Sequence, residues 1–227
     1  MEPDKTSDYR GEDASLYESQ VAASGWHGHE IFFGLMYEFI KANESLLDIG
    51  IGTGLGSFLF HKAGLHVSGF DNSAKMLKGC KSKSFSGKTI IHDLRDVPFP
   101  YESNSFDHII SLGVLNFYAD LQPLIKEAAR IIKSKGIFGF TIEEKKAGKE
   151  SQYTIQVNNG SDQDRAQFGI AMYRHSNKQI RTLLKSSSFS VLKDFELLAG
   201  KYPEQGIEVY LKVYIVKSGD IEHPCPI

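Results

Sequence analysis

The sequence predicts a doubly wound α/β fold, and three kinds of segment carry that prediction. A nearly continuous apolar run, 46–49, leads into glycines at every second position and then into apolar residues at helical spacing. This order is typical of a buried parallel strand that turns directly into a helix. Two further short strands are predicted at 66–71 and 88–92, and residues 209–215 alternate as an antiparallel strand does. We therefore expect a seven-stranded, mostly parallel sheet with an antiparallel seventh strand and helices on both faces.

The turn after the first strand separates two classes of nucleotide-binding protein. Gly50, Gly52 and Gly54 follow Asp48 in the pattern D-x-G-x-G-x-G. The dinucleotide fingerprint G-x-G-x-x-G is absent, because Leu55 or Ser57 stands where its third glycine is needed. An acid before the turn suits a ligand that carries positive charge and disfavours a pyrophosphate. A glycine turn with no ligand is the structural alternative, since such turns are common in α/β proteins.

Two more acids follow the second and third predicted strands. Asp71 lies about 20 residues beyond the glycine turn, where doubly wound folds place the acid that binds ribose hydroxyls. It could instead support the turn before Ser73, a predicted helix N-cap. Asp93-Leu94 ends the third strand and precedes a loop that contains Pro98 and Pro100.

These motifs resemble those of the class I S-adenosylmethionine (SAM)-dependent methyltransferases over roughly residues 45–142. The family's third motif has an acid, then Leu-Pro-Phe, then Ser-Phe-Asp before an apolar strand. Here Val97 stands where leucine is usual, and residues 105–107 supply Ser-Phe-Asp. The resemblance implies a Rossmann-like domain that binds SAM as its cofactor and yields S-adenosylhomocysteine.

The resemblance also implies a role for individual residues in cofactor binding. Asp48 and the three glycines correspond to the positions beside the methionine part of SAM. Asp71 corresponds to the acid that holds the ribose, while Asp93 and the backbone of Leu94 correspond to the contacts with adenine. The remaining expected members of the cofactor site are Asn72, Met76 and Leu112.

Candidate acceptor-site residues come from the strand-four loop and from the N-terminal region. Residues 112–118 correspond to the loop beside the methyl group, so Asn116 is a candidate substrate contact and Tyr118 a candidate catalytic residue. Predicted helices at 14–23 and 30–40 are joined by Ser24-Gly25-Trp26-His27-Gly28-His29. Tyr17 and Trp26 are candidate pocket walls and His27 a candidate catalytic residue, with helix packing as the alternative. A metal site at the two histidines lacks a third ligand nearby, and no metal is expected.

Residues 143–175 interrupt the regular alternation and predict a substrate lid. The segment is polar, contains the turn sequence Asn158-Asn159-Gly160, and is longer than usual strand-to-helix connections. At its far end, Tyr173-Arg174-His175-Ser176 resembles a segment of small-molecule methyltransferases. Tyr173 is therefore a candidate substrate contact and His175 a candidate general base. The alternatives are a loop without function and a histidine that only packs or caps a helix.

Composition restricts the class of partner. The 227 residues carry a net charge of −2 and no basic stripe, so nucleic-acid binding is not favoured. Cys80 and Cys225 show no metal or disulfide spacing. Neither a membrane-spanning apolar stretch nor a secretion signal is recognisable. We expect a cytoplasmic enzyme that acts on a small molecule.

The expected organisation is a single domain over residues 1–227. It comprises an N-terminal helical cap (1–44), the SAM-binding core (45–142), the lid (143–175) and a C-terminal helix with strands six and seven (176–227). The expected function is methyl transfer from SAM to an O, N, C or S nucleophile of a small molecule. Two alternatives stay open, a SAM-binding protein without transferase activity and a nicotinamide-dependent oxidoreductase.

Overall fold

The computed structural model describes residues 14–85, 87–159, 166–202 and 207–219, so the predicted turn residue Gly160 and Cys225 lie outside it. Its helices are α1 (Ala14–Ala23), α2 (Gly28–Met36), α3 (Phe58–Lys62), α4 (Ala74–Lys81), α5 (Gln122–Ile131) and α6 (Asn177–Ser186). The strands are β1 (Ser45–Ile49), β2 (His66–Asp71), β3 (Thr89–Ile91), β4 (Phe106–Ser111), β5 (Ile132–Glu144), β6 (Gln152–Asn159), β7 (Ala166–His175), β8 (Phe189–Tyr202) and β9 (Ile207–Ser218). Short 3₁₀ helices span Tyr37–Phe39 and Leu115–Phe117.

The sheet confirms the predicted fold class, with a different strand count. Strands β3, β2, β1, β4 and β5 lie side by side in parallel, and β9 pairs with β5 in the antiparallel sense, followed by β8. These are the seven strands that the sequence predicts. The described chain has nine, because β6 and β7 form an antiparallel hairpin within residues 143–175. Two residue pairs join β7 to the end of β5, so the predicted lid segment extends the sheet.

The order of the strands creates a crevice beside β1. Its neighbours are β2 on one side and β4 on the other, so the chain crosses from one half of the sheet to the other after β3. The connections that follow β1 and β4 therefore leave in opposite directions. In doubly wound folds, ligands bind at the carboxyl ends of the strands at such a switch point.

Two hydrophobic layers cover the sheet because successive strand residues point to opposite faces. Leu47 packs in the layer with α5 and α6, whereas Leu46 packs in the layer with α2, α3 and α4. Gly139 of β5 allows α2 to lie close to the sheet, since a Cβ there would come within 2.8 Å of Phe32 Cζ and Met36 Sδ. The N-terminal region is thus fastened to the core by buried side chains.

Two helix boundaries differ from the sequence prediction. The apolar pattern of α5 predicts a helix that continues to the lysines before Gly136, but Ile132 is already extended, with φ −75° and ψ 143°. Lys133 instead pairs with Asp107 at 2.8 Å. The helix predicted at 30–40 ends at Met36 and continues as the 3₁₀ turn. None of the helices within the described ranges is both long and apolar enough to cross a bilayer.

Candidate active site

A cavity of about 640 Å³ opens at the carboxyl ends of β1, β2 and β4. Its lining combines the glycine turn, the tips of β2 and β4, helix α1 with the segment after it, and parts of β5, β6, β7 and β9. Of the residues predicted for the site, the following line it: Tyr17, Trp26, Asp48, Gly50, Gly52, Asp71, Asn72, Met76, Leu94, Leu112, Asn116 and Tyr118. Elements far apart in the sequence therefore meet around one space.

Asp48 is the most buried acid of this cavity. Only 3% of the residue is exposed, and its carboxylate accepts a hydrogen bond from the Ser57 hydroxyl. Burial raises the pKa of Asp48 to about 7, and the nearby charge of Asp71 adds to that rise. Near neutral pH the carboxyl is therefore poised between its two protonation states, and a bound cation would favour the charged one.

Asp71 ties the tip of β2 to the glycine turn. Its Oδ2 accepts a hydrogen bond from the Gly52 N–H at 2.9 Å, and its Oδ1 accepts one from the Ser73 N–H at 2.8 Å. Burial raises the pKa of Asp71, although these two hydrogen bonds oppose the rise. Ser73 in turn caps α4 by accepting from the Met76 N–H, as predicted. The alternative role of Asp71, support of the turn, is thus present alongside its place in the cavity.

The glycines of the turn differ in what a side chain at their positions would meet. All have positive φ, a region that residues with a side chain rarely adopt. A Cβ on Gly50 would lie 2.6 Å from Val114 Cγ2, so protein rather than ligand fills that space. A Cβ on Gly54 would meet the Phe85 ring at 2.4 Å, and Gly54 is not among the cavity-lining residues.

Asp93 lies at the edge of the site and is held by Arg95. The guanidinium donates to both carboxylate oxygens, at 2.9 and 2.5 Å, and the Arg95 N–H donates at 2.9 Å. The hydrogen bonds from Arg95 lower the pKa of Asp93, and one from Asn72 assists. The next residue, Leu94, lines the cavity, whereas the Asp93 side chain does not.

The charged side chains that line the cavity are acidic. The described lining contains the acids Asp48, Asp71 and Glu143 but no lysine or arginine. Glu143 is neutralised from outside the lining by Arg174, whereas no ion pair is found for the other two acids in the described chain. The glycine-turn end therefore presents negative potential, which favours a cation.

A second part of the lining, called here the apolar end, comes from α1, the segment after it, and strands β6, β7 and β9. Its apolar side chains are Val21, Trp26, Ile155, Met172, Val209 and Leu211, and the polar Gln20, Ser24, His29, Glu143 and Tyr153 also line the cavity. Glu143 anchors this wall, because its carboxylate accepts hydrogen bonds from the Tyr153 hydroxyl and the Arg174 guanidinium. The guanidinium also stacks 3.9 Å from the centre of the Tyr153 ring. The hairpin is thus linked to β5 by a cluster of polar contacts.

The strand-four loop, residues 112–118, also lines the cavity. The Gly113 N–H donates to Thr141 Oγ1 at 2.9 Å, which fixes the loop to β5. Asn116 and Tyr118 both line the cavity. Asn116 Oδ1 is buried without a hydrogen-bond partner in the described structure. Burial raises the pKa of Tyr118.

Tyr173 and His175 do not line the cavity, contrary to what their candidate roles require. Both point to one face of β7 because they are two residues apart, whereas Met172 points to the other face and lines the cavity. His175 is 2% exposed and lies against the backbone of Leu115 and Tyr118. Burial lowers its pKa. Its position makes it part of the support beneath the strand-four loop.

The structure places His29 of the N-terminal junction in the cavity lining, and not His27, the candidate catalytic residue. The side chain of His27 is 72% exposed and lies outside the cavity lining. His29 lines the cavity, with a side chain that is 13% exposed and a buried Nδ1 that has no partner in the described structure. The sequence contains the distinguishing pattern, since His29 shares a helical face with Phe32 and Met36.

Glu143 and Tyr153 are further site residues that the sequence analysis missed. Their types and spacing carry no motif, and only the pairing of the hairpin with β5 brings them together. Within the described ranges, no group of three or more His, Cys, Asp or Glu side chains is arranged to hold a metal ion.

Comparison with known proteins identifies a methyltransferase domain within the chain. Residues 47–140 match the family model of a methyltransferase domain. A demethylmenaquinone methyltransferase from Thermotoga maritima is 36% identical over 96 residues, which are 41% of this chain and 41% of that protein. This chain thus spans about two fifths of the curated relatives that it matches.

Solved structures share the fold at low sequence identity. A methyltransferase from Haloferax volcanii in complex with the Trm112 methyltransferase activator has a TM-score of 0.69 and 16% identity, over 92% of this chain and 96% of that one. A (4+2)-cyclase has a TM-score of 0.68 and 13% identity, over 94% of each chain. The family match over residues 47–140 and the motif acids gathered around one cavity identify a SAM-dependent methyltransferase domain within this chain, with SAM as its cofactor.

Proposed function

We propose that this protein transfers the methyl group of SAM to a small, uncharged, apolar acceptor. The observation that carries the proposal is the lining of one cavity, which combines Asp48 and Asp71 beside the glycine turn, called here the acidic end, with apolar side chains of α1, the β6–β7 hairpin and β9. The sulfonium and ammonium of SAM suit the acidic end. An acceptor without charge suits the apolar end, because its described lining offers no lysine or arginine to neutralise an anion.

In this proposal the cofactor is held by the residues of the acidic end. Asp48 supplies negative charge near the ammonium of the methionine part. Asp71 binds the ribose hydroxyls with the lone pairs that its two backbone hydrogen bonds leave free. Leu94, Met76 and Asn72 surround the adenine side.

The acceptor is held by the apolar end and by the strand-four loop. Trp26, Tyr17 and Met172 supply contact surface, and Asn116 supplies a buried amide whose oxygen has no protein partner. Curated relatives include enzymes named for quinone-type acceptors, a demethylmenaquinone methyltransferase and a 2-methyl-6-phytyl-1,4-hydroquinone methyltransferase. These names support an aromatic acceptor for this chain.

The protein's contribution to the reaction is mainly alignment. SAM supplies an activated methyl group with a good leaving group, so the chain has to place the nucleophile in line and exclude water. Helix α1 and the β6–β7 hairpin enclose the cavity from two sides and would perform that exclusion, the hairpin acting as the lid. Neither His27 nor His175 has a role at the methyl group in this proposal, because neither lines the cavity.

A SAM-binding role without methyl transfer is the second candidate. It is favoured by the fold shared with a protein named as a (4+2)-cyclase, since a fold by itself does not determine the reaction. The two candidates share the cofactor site and differ in whether the methyl group leaves it.

Two measurements test the proposal. Calorimetric titration should give binding of SAM and S-adenosylhomocysteine and none of NADH, which also tests the oxidoreductase alternative. S-adenosylhomocysteine formation should then be measured with chemically reduced 1,4-naphthoquinone as a neutral aromatic acceptor and with 4-hydroxybenzoate as an anionic one. Transfer to the quinol alone supports the proposal. Binding of SAM with preferential transfer to the anion would refute the uncharged acceptor, and the absence of SAM binding would refute the cofactor site.

A further inference from the structure

Glu143 of β5 is an acid in the cavity wall that does not belong to the glycine turn or to the motif acids. Its side chain is 23% exposed, and the hairpin residues Tyr153, Ile155 and Met172 line the same cavity. A charge in a wall acts on a ligand through space and does not require contact with it. Beside apolar side chains, water screens such a charge less than at an open surface. The charge of Glu143 therefore matters for a ligand that enters the cavity.

Arg174 balances this charge from outside the cavity lining. Glu143 and Arg174 are register partners in the pairing of β5 with β7. The guanidinium donates to Glu143 Oε1 and, at 3.1 Å, to the Glu150 carbonyl. It also stacks 3.9 Å from the centre of the Tyr153 ring, and 16% of the Arg174 side chain is exposed. The cation is thus held by an ion pair, a backbone hydrogen bond and a ring contact.

The two members of this ion pair differ in their relation to the cavity. Glu143 lines it and Arg174 does not, and the described lining contains no lysine or arginine. Together the pair leaves this part of the wall with no net charge, which suits an uncharged ligand. Without Arg174 the wall would carry an uncompensated carboxylate and favour a cation. Without Glu143 an uncompensated guanidinium would lie behind the wall and favour an anion.

We propose that Arg174 is a specificity-determining residue, which selects an uncharged methyl acceptor by cancelling the charge of Glu143. The proposal rests on the proposed function and names the residue pair that sets the charge of the acceptor. Arg174 acts through Glu143 and does not touch the acceptor. Its effect is a difference in binding between ligands of different charge, so it can be measured without turnover.

Three probes that share one ring system measure the preferred charge. At about pH 8, 2-naphthalenemethanol is neutral, 2-naphthylmethylamine is a cation and 2-naphthoate is an anion. Binding of each is measured by fluorescence titration in the presence of saturating S-adenosylhomocysteine. Asp48 and Asp71 are present in every variant, so their effect cancels when a variant is compared with the wild-type protein. We expect the wild-type protein to bind the alcohol most tightly.

Two single variants should shift this preference in opposite directions. Arg174→Met keeps apolar bulk beside Tyr153 and should raise the affinity for the amine, relative to the alcohol, by about tenfold or more. Glu143→Gln keeps an oxygen that can accept from the Tyr153 hydroxyl and should raise the relative affinity for 2-naphthoate by about the same factor. The double variant carries neither charge and should again prefer the alcohol. Either single variant tests the proposal if the other does not fold.

Arg181→Met is the matched control. Arg181 pairs with Asp194 and lies outside the cavity lining. This variant should leave the relative affinities of the probes within about twofold of wild type. Affinity for S-adenosylhomocysteine should also stay within about twofold in all variants, which shows that the cofactor site is intact. A purely structural role of Arg174 would weaken the three probes together and leave their order unchanged.

The failures of the two proposals are distinguishable. If S-adenosylhomocysteine does not bind, the proposed function fails at its cofactor site. If it binds and the wild-type protein prefers the alcohol, but neither single variant shifts toward its charged probe, the role of Arg174 is overturned while the proposed function stands. A wild-type preference for a charged probe overturns both the uncharged acceptor and the role of Arg174.

Discussion

The Asp71 carboxylate accepts a hydrogen bond from the Gly52 N–H at 2.9 Å, which joins the end of β2 to the turn after β1. The same side chain accepts from the Ser73 N–H at 2.8 Å, at the start of α4. One carboxylate thereby fixes the two loops that form the acidic end of the cavity. Shaping the loops and binding a ligand are compatible roles, because a carboxylate has about four lone-pair sites.

Asp71→Ala should weaken SAM binding by roughly tenfold to more than a hundredfold. Hydrogen bonds to a charged group contribute about 1.5–3 kcal/mol each, and this variant removes the acceptors for the ribose. Calorimetric titration measures the effect. Asp107→Ala is the matched control, since Asp107 pairs with Ser45 and Lys133 at the opposite end of the sheet. An unchanged affinity in Asp71→Ala would refute the ribose assignment.

The affinity for SAM should rise as the pH increases from about 6 to about 8. Asp48 has a pKa of about 7 in the free protein because of burial. A cation favours its charged form, so binding below that pKa must release a proton, and affinity changes by up to about tenfold per pH unit. Asp48→Asn should bind more weakly and lose this dependence. Titrations in buffers of different ionisation enthalpy would also detect the proton, and a flat wild-type profile would contradict the prediction.

Gly50→Ala should destabilise the protein more than Gly113→Ala. Both glycines have positive φ, 76° and 72°, so each variant incurs a backbone cost of roughly 1–2 kcal/mol. Only the Cβ at position 50 would meet a neighbour, Val114 Cγ2 at 2.6 Å, whereas nothing lies within 4 Å of the Cβ at position 113. Overpacking should add about 1–3 kcal/mol. Urea unfolding compares the two, and Val114→Ala should restore part of the loss in Gly50→Ala.

His175 should make the folded state less stable in mild acid. Burial lowers its pKa in the folded protein, whereas in the unfolded chain it takes up a proton near its ordinary value of about 6.5. The unfolded state then binds more protons, so the free energy of unfolding falls as pH decreases through and below that value, by at most about 1.4 kcal/mol per pH unit. His175→Gln should show a shallower fall between about pH 7 and pH 5. Equal slopes in the two proteins would contradict this assignment.

The positions of the core strands along the chain and the acids at their tips were predictable because both are local in sequence. A buried strand is an apolar run, a tight turn requires glycine, and an acid that ends a strand stays at the end of that strand. Asp48, Asp71 and Leu94 consequently line one cavity, as their motifs predicted. Helix ends were less predictable, because at Ile132 pairing with β4 competes with the helical apolar pattern.

The β6–β7 hairpin illustrates what local patterns leave open. The sequence of residues 143–175 predicts an interruption with a turn at Asn158-Asn159-Gly160, whereas the structure places Asn158 and Asn159 in β6, paired with β7. Only the pairing of β7 with the end of β5 determines that Met172 lines the cavity while Tyr173 and His175 lie on the other side. A register shift of one residue would exchange these faces.

The sequence alone predicted the methyltransferase motifs, the core strands and the acids beside the glycine turn, because each depends on residues that are neighbours along the chain. The tertiary structure decided which side chains form the acceptor end. His29 rather than His27 enters the cavity because α2 is held against the sheet through Phe32 and Met36, which fixes the rotation of the helix. The helical spacing of His29, Phe32 and Met36 indicates their shared face, whereas the contact of that face with the sheet joins segments far apart in sequence.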